Sequence, residues 1–202
     1  DLLRGARIGV ELASLGVYVL ARALAQEGLQ LTDVVLVSTD QLSMEAEFRR
    51  GELAAIVTYP PTSVKLARDG YGRAVFSSRE LPREVVDVLA VERDICRDRP
   101  ADVARLLRGY QRGLAYIAAH PADAYREMAA REGLTADELV ASLRDGIVLV
   151  PPRDQASYLG PAGSLPAVLT AVDRVLRATH QVQGPPRLAD VVTDAFVEVH
   201  AP

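Results

Sequence analysis

Along the first third of the chain, the spacing of apolar residues switches repeatedly between two patterns. Arg7 to Leu12 is a short, mainly apolar run that ends at Ala13-Ser14 and reads as a buried strand. From Leu15 the spacing becomes helical, with Val17, Leu20, Ala21 and Leu24 on one face until Gly28 offers a left-handed stop. The alternation then repeats. Val34 to Val37 reads as a strand, Gln41 to Arg50 as a helix stopped by Gly51, and Leu53 to Thr58 as another continuous apolar strand. A third helix is predicted from Pro60-Pro61, whose fixed dihedrals suit a first turn, to about Gly70. Short strands alternating with helices imply crossover connections and a parallel sheet covered on both faces. Residues 5–78 are therefore expected to form one small α/β unit.

After Ser77-Ser78 the character changes. Arg79-Glu80-Leu81-Pro82-Arg83 is polar and contains proline, and a hinge is expected over 79–84, before another apolar strand from Val85 to Val91. Beyond Pro100 the pattern is helical. Val103, Leu106, Leu107, Tyr110, Leu114 and Ile117 mark one long amphipathic helix ending at His120-Pro121, and a second helix runs to Gly133. Thr135, with Glu138 three residues later, forms a capping box for a third helix ending near Gly146. Val150 to Ser164 reads as loop, Leu165 to Thr179 as a further helix, and Leu188 to Val199 as a short helix pair or an irregular tail.

Composition narrows the function classes. With 49% hydrophobic and 25% charged residues in 202, the chain is ordinary globular material. A formal net charge of -4, with basic residues scattered among acidic ones, argues against a nucleic-acid surface. Arg97 and Arg99, the closest basic pair, are interrupted by Asp98. No apolar run approaches the roughly 18–20 residues that would span a bilayer, so no membrane insertion is expected. The single cysteine, Cys96, excludes an internal disulfide and any multi-cysteine metal site. The first residue is Asp1, which leaves room for a signal segment removed from a longer precursor.

Catalytic machinery is hard to find in this sequence. His120, His180 and His200 stand at helix ends or in the tail, without a second histidine or carboxylate at metal-pair spacing. Ala13-Ser14-Leu15-Gly16 lies at a strand-to-helix junction but lacks the leading glycine of a nucleophile elbow, and Ser14 is better placed as an N-cap. Neither a phosphate-binding loop nor a dinucleotide fingerprint is present. Glu45 with Glu47, and Asp137 with Glu138, are neighbours on helices rather than facing carboxylates. No catalytic residue, metal or cofactor is expected.

The strand-to-helix junctions of the first unit stand out instead. Ligands of open parallel sheets bind beyond the carboxyl ends of the strands, where loops and helix amino termini converge. Leu12 to Tyr18, Ser38 to Gln41 and Thr58 to Pro61 occupy that edge. Ser14, Gly16 and the following amides could hold an anionic or carbonyl oxygen, while Tyr18 and Tyr59 could stack on or hydrogen-bond a polar ligand.

The stretch Arg4-Gly5-Ala6-Arg7-Ile8-Gly9-Val10, followed by a small-residue turn, resembles the segment that opens the second lobe of solute-binding proteins of the nitrate, sulfonate, taurine and thiamine-precursor uptake class. Phe48 through Pro61 is similar to a second segment of that family, and Val75-Phe76-Ser77-Ser78 followed by Val85 to Val91 resembles its return crossing to the first lobe. Ala54-Ala55 stands where the family usually has Asp-Ala.

The resemblance implies a type II periplasmic-binding-protein-like α/β fold. Residues 5–78 would be the parallel-sheet second lobe, 79–84 the hinge, and 85–202 the carboxy-terminal part of the first lobe with a helical extension. The family's amino-terminal part of the first lobe has no counterpart here, so a longer parent or a second copy would be expected to complete that sheet. A small molecule would lie between lobes that close on it. Its contacts would come from Ser14, Leu15, Gly16, Val17 and Tyr18 at the first junction, Thr58 and Tyr59 at the third, and Asp87 after the hinge, with Glu11 a weaker candidate. The implied partner is the membrane permease of an ABC importer, and the implied location periplasmic or extracellular and lipid-anchored. A ligand sensor of a signalling protein and a thiamine-precursor biosynthesis enzyme are the alternatives.

Overall fold

The computed structural model describes residues 3–12, 14–160, 162–185 and 191–197. The chain divides into two units, Asp1–Val85 with Ala167–Arg187, and Val86–Pro166 with Leu188–Pro202. The expected division keeps 85–202 together, whereas Ala167–Arg187 groups with the first unit.

The first unit is built on β1 (Arg7–Val10), α1 (Leu15–Gln26), β2 (Val35–Ser38), α2 (Gln41–Arg49), β3 (Ala55–Ile56) and α3 (Thr62–Arg68). The strands form a parallel sheet in the order β2-β1-β3. Ile8 lies opposite Leu36 on one side and Ala55 on the other. β3 is shorter than the apolar run that predicts it, although amides at both its ends, from Ala54 to the Arg7 carbonyl and from Val57 to the Gly9 carbonyl, extend the ladder at 2.9 Å each.

Alternation along β1 explains how a three-stranded sheet carries a core on both faces. Ile8 and Val10 are 1% and 0% exposed and pack with Val17, Leu20 and Leu24 of α1, with Leu176 also against this core. Gly9 points the other way, under α2. A Cβ there would lie 2.7 Å from Leu53 Cδ1 and 3.2 Å from Met44 Cγ, so the missing side chain lets α2 and the β3 approach settle on the sheet. α1 and α2 thus cover opposite faces, and the chain passes from one side of β1 to the other between β2 and β3.

Local signals end the helices as expected. Ser14 and Asp40 cap α1 and α2, and Gly28 and Gly51 take left-handed dihedrals just beyond them. The Pro60-Pro61 bond is cis, and Pro61 serves as the N-cap of α3, one residue later than the predicted start.

The second unit contains α4 (Arg93–Asp98), α5 (Pro100–Ala119), α6 (Pro121–Glu132), α7 (Ala136–Gly146) and α8 (Ala156–Leu159). α9 (Leu165–Ala178) follows and runs into the first unit's segment. The neighbouring helices α5, α6 and α7 bury Val103, Ala104, Ala124, Ala129 and Leu139. The predicted capping box of α7 is present, Glu138 N donating to Thr135 Oγ1 at 3.2 Å and Thr135 N to Glu138 Oε2 at 2.8 Å. The predicted loop over 150–164 contains a short 3-10 turn, Pro152–Asp154, and α8.

Two expectations need correction. Val85 to Val91 is not a strand: it has no regular secondary structure, and none of its residues pairs with another strand among the described residues. Val88 and Leu89 are 55% exposed and Asp87 is exposed, so Asp87 does not sit within an apolar strand. A segment with no partner strand has no ladder to join, however apolar it is. α4 was not foreseen, because its sequence RDICRD lacks an apolar period. The predicted segment Leu188 to Val199 falls partly on undescribed residues, as do Ala13 and His200, and residues 191–197 contain irregular backbone and a turn.

Candidate ligand-binding rim

Because all three strands are parallel, Val10, Ser38 and Ile56 end at one edge of the sheet. The chain turns sharply after β1. Ser14 is extended (φ -114°, ψ 170°), its hydroxyl donates to the Glu11 carbonyl at 2.6 Å, and the Gly16 amide donates to the same Oγ at 3.0 Å. The Val17 amide donates to the Ser14 carbonyl at 3.3 Å. A Cβ on Gly16 would come within 3.3 Å of Val10 Cγ2 and 3.5 Å of Val57 Cγ1, which places the start of α1 between the ends of β1 and β3.

The second and third junctions are tied together by Gln41. Its Nε2 donates to the Val57 carbonyl at 3.3 Å, and its Oε1 accepts from the Thr58 hydroxyl at 2.9 Å. The Thr39 amide donates to the Val10 carbonyl at 3.4 Å, joining the second junction to the first. Asp40 Oδ1 accepts from the Leu42 and Ser43 amides at 2.9 and 3.0 Å, and Oδ2 from the Ser43 hydroxyl at 2.8 Å. These bonds, those from Ser43 foremost, hold the Asp40 carboxyl below its ordinary pKa.

Of the sequence-predicted residues, Ser14, Leu15, Gly16 and Thr58 are half-buried at this edge, and Tyr59 is 58% exposed beside it. Val17 and Tyr18 are buried. The Tyr18 side chain belongs to the core: its hydroxyl donates to Glu84 Oε2 at 2.6 Å, and Arg22 donates to the Tyr18 oxygen at 3.1 Å and also pairs with Glu84. Burial, then the Glu84 hydrogen bond, pushes the phenol pKa up. Neither the Val17 nor the Tyr18 side chain is therefore open to a ligand. Asp87 lies in the other unit and is exposed.

Two residues carry more of the geometry than their sequence signal suggested. Gln41 lay inside a segment marked as rim, but nothing in its neighbours foretells the bridge to Thr58, 17 residues away. Glu84 is 66 residues from Tyr18, and no local pattern links them. Among the described residues no group of three or more histidine, cysteine, aspartate or glutamate side chains could hold a metal, and no helix is long and apolar enough to cross a membrane.

Solved structures share the fold. The periplasmic aliphatic sulphonate binding protein SsuA from Escherichia coli superposes with a TM-score of 0.76 at 18% identity, over 94% of this chain and 59% of that one. The alkanesulfonate-binding protein SsuA from Xanthomonas axonopodis pv. citri, bound to MOPS, gives 0.68 at 18% identity, over 94% and 62%. A putative sulfonate-binding SsuA from Methylobacillus flagellatus KT gives 0.60 at 12% identity, over 97% and 59%. The chain spans about three-fifths of their length. A search of curated proteins gives no match. The family described as NMT1/THI5 like matches residues 2–124, more than half of the chain, and the chain belongs to that family.

Proposed function

We propose that this chain is part of a solute-binding protein, which captures a small molecule at the rim of the first unit and presents it to the permease of an ABC importer. The observation that carries this reading is the convergence of three parallel strand ends, cross-linked through Gln41 to Val57 and Thr58 and through Thr39 to Val10. A pre-tied rim loses little conformational freedom when a ligand arrives. Family membership and the fold shared with sulfonate-binding proteins support the same class.

In this reading residues 5–78 are the second lobe, 79–84 the hinge, and the second unit belongs to the other lobe, completed by more of the same polypeptide or by a second copy. Ser14, Leu15, Gly16, Thr58 and Tyr59 line the ligand side, Val17 and Tyr18 back them from the buried face of α1, and Asp87 of the second unit is the remaining contact. The location is periplasmic or lipid-anchored outside the cell, and the protein releases its solute unchanged. The alternatives are a sensor input domain of the same build and a biosynthetic enzyme.

A thermal-shift screen of sulfonates, nitrate, aminopyrimidines and phosphonates tests this reading, because a ligand that binds only the folded state raises the melting temperature by mass action. A solute that raises it and is recovered chemically intact supports capture for transport. Conversion of that solute would favour the enzyme, and a flat response to every class would remove the binding role.

A further inference from the structure

An oxyanion held at strand ends needs amide donors that are still free. At α1 the Gly16 amide is committed to Ser14 Oγ and the Val17 amide to the Ser14 carbonyl. At α2 the Leu42 and Ser43 amides are committed to the Asp40 carboxylate, which is itself an anion seated where an oxyanion would go. α3, of 7 residues, is too short to take over that role. The second and third amides of both longer helices are thus satisfied internally.

Formal charge points the same way. Residues 11–18, 38–41 and 57–61 include no lysine, arginine or histidine, and their only carboxylates are Glu11 and Asp40. Glu11, one residue past the end of β1, is exposed and has no ion pair among the described residues. Tyr59, at the end of the third junction, leaves 58% of its surface open, and an exposed ring face attracts cations. The Thr58 hydroxyl spends its proton on Gln41, so toward a ligand it can only accept. Glu11, the open Tyr59 ring and the remaining lone pair of Thr58 Oγ1 stand at the strand-end edge, and each suits an N-H donor.

We propose that the ligand group held by this rim is an organic cation, an ammonium or amidinium, rather than an oxyanion. This deepens the solute-binding reading above and rests on it. Glu11 sets the charge preference, Tyr59 supplies the ring face, and Thr58 accepts a hydrogen bond.

Amide chemical-shift titrations of the full 202-residue chain test this, using benzylammonium, benzyl alcohol and benzenesulfonate as probes of one shape and three charges. The amides of Gly16, Gln41, Thr58 and Tyr59 should respond to benzylammonium with an apparent affinity at least about fivefold above that for benzenesulfonate, the order expected for exposed charges acting together. The preference should shrink at high salt and in Glu11→Gln, and persist in Glu27→Gln, which alters an acid at the far end of α1. Equal or tighter binding of benzenesulfonate, or a preference untouched by both salt and Glu11→Gln, overturns the cation assignment and leaves the rim as a ligand site. No response of those amides to any of the three probes overturns the rim and the cation assignment together. If Glu11→Gln does not fold, the salt dependence of the native chain decides.

Discussion

The strands of the first unit and residues 86–91 of the second are made of the same kinds of residue and reach different states. Arg7–Val10 has neighbours on both sides, so its apolar side chains are covered and its backbone is paired. Val86 to Val91 is also rich in apolar residues, yet it has no ladder, and Val88 and Leu89 stay largely open. An apolar run is a licence to be a strand rather than a strand, and a neighbouring edge decides the outcome.

The largest test of that contrast lies in the covered sheet. Leu24→Ala removes a side chain 1% exposed beneath β1, and the melting curve should report a loss of about 2–5 kcal/mol. A loss below about 1 kcal/mol would mean that this core is not formed.

A smaller effect is expected where the first unit is pinned to its last residues. Tyr18→Phe deletes the hydroxyl that joins α1 to Glu84 and should lower stability by about 1 kcal/mol near neutral pH. The phenol pKa is raised in the folded chain, so its contribution is complete below the unfolded value of about 10 and disappears as pH rises through the folded value. Denaturant midpoints of the native chain should therefore fall more steeply above pH 10 than those of Tyr18→Phe, and parallel slopes would contradict the buried hydrogen bond.

The smallest effect belongs to the uncovered segment. Leu89→Ser should change the stability of the 202-residue chain by less than about 0.5 kcal/mol, because the side chain is 55% exposed. A loss comparable with Leu24→Ala would place this segment in a packed sheet and erase the contrast.

How far the sequence foretold this molecule follows the same division. The first unit was legible because its signals are local: period changes at Leu15 and Gln41, left-handed glycines at 28 and 51, and Ser14 ahead of a helix. The capped helices after Pro100 were legible for the same reason. Val85 to Val91 misled because pairing is a property of two segments, and only one can be inspected in a run of residues. The candidate rim divides likewise. The strand ends could be located, but the Gln41 to Thr58 bridge and the Tyr18 to Glu84 bond join residues 17 and 66 apart, and the buried position of the Tyr18 ring follows from the second of these. Tyr18 and Tyr59 have equal claims in sequence, and only the packing of α1 separates a core ring from an open one.

The claim on which the functional reading depends is that the strand-end rim of the first unit grips the solute. Calorimetric titration of Tyr59→Ala with a solute that raises the native melting temperature tests this most directly, since removing an exposed ring should leave the fold intact. The account predicts an affinity about tenfold or more below native with an unchanged melting temperature in the absence of solute. Native affinity in Tyr59→Ala, together with unmoved Gly16 and Thr58 amides in the native complex, would contradict it.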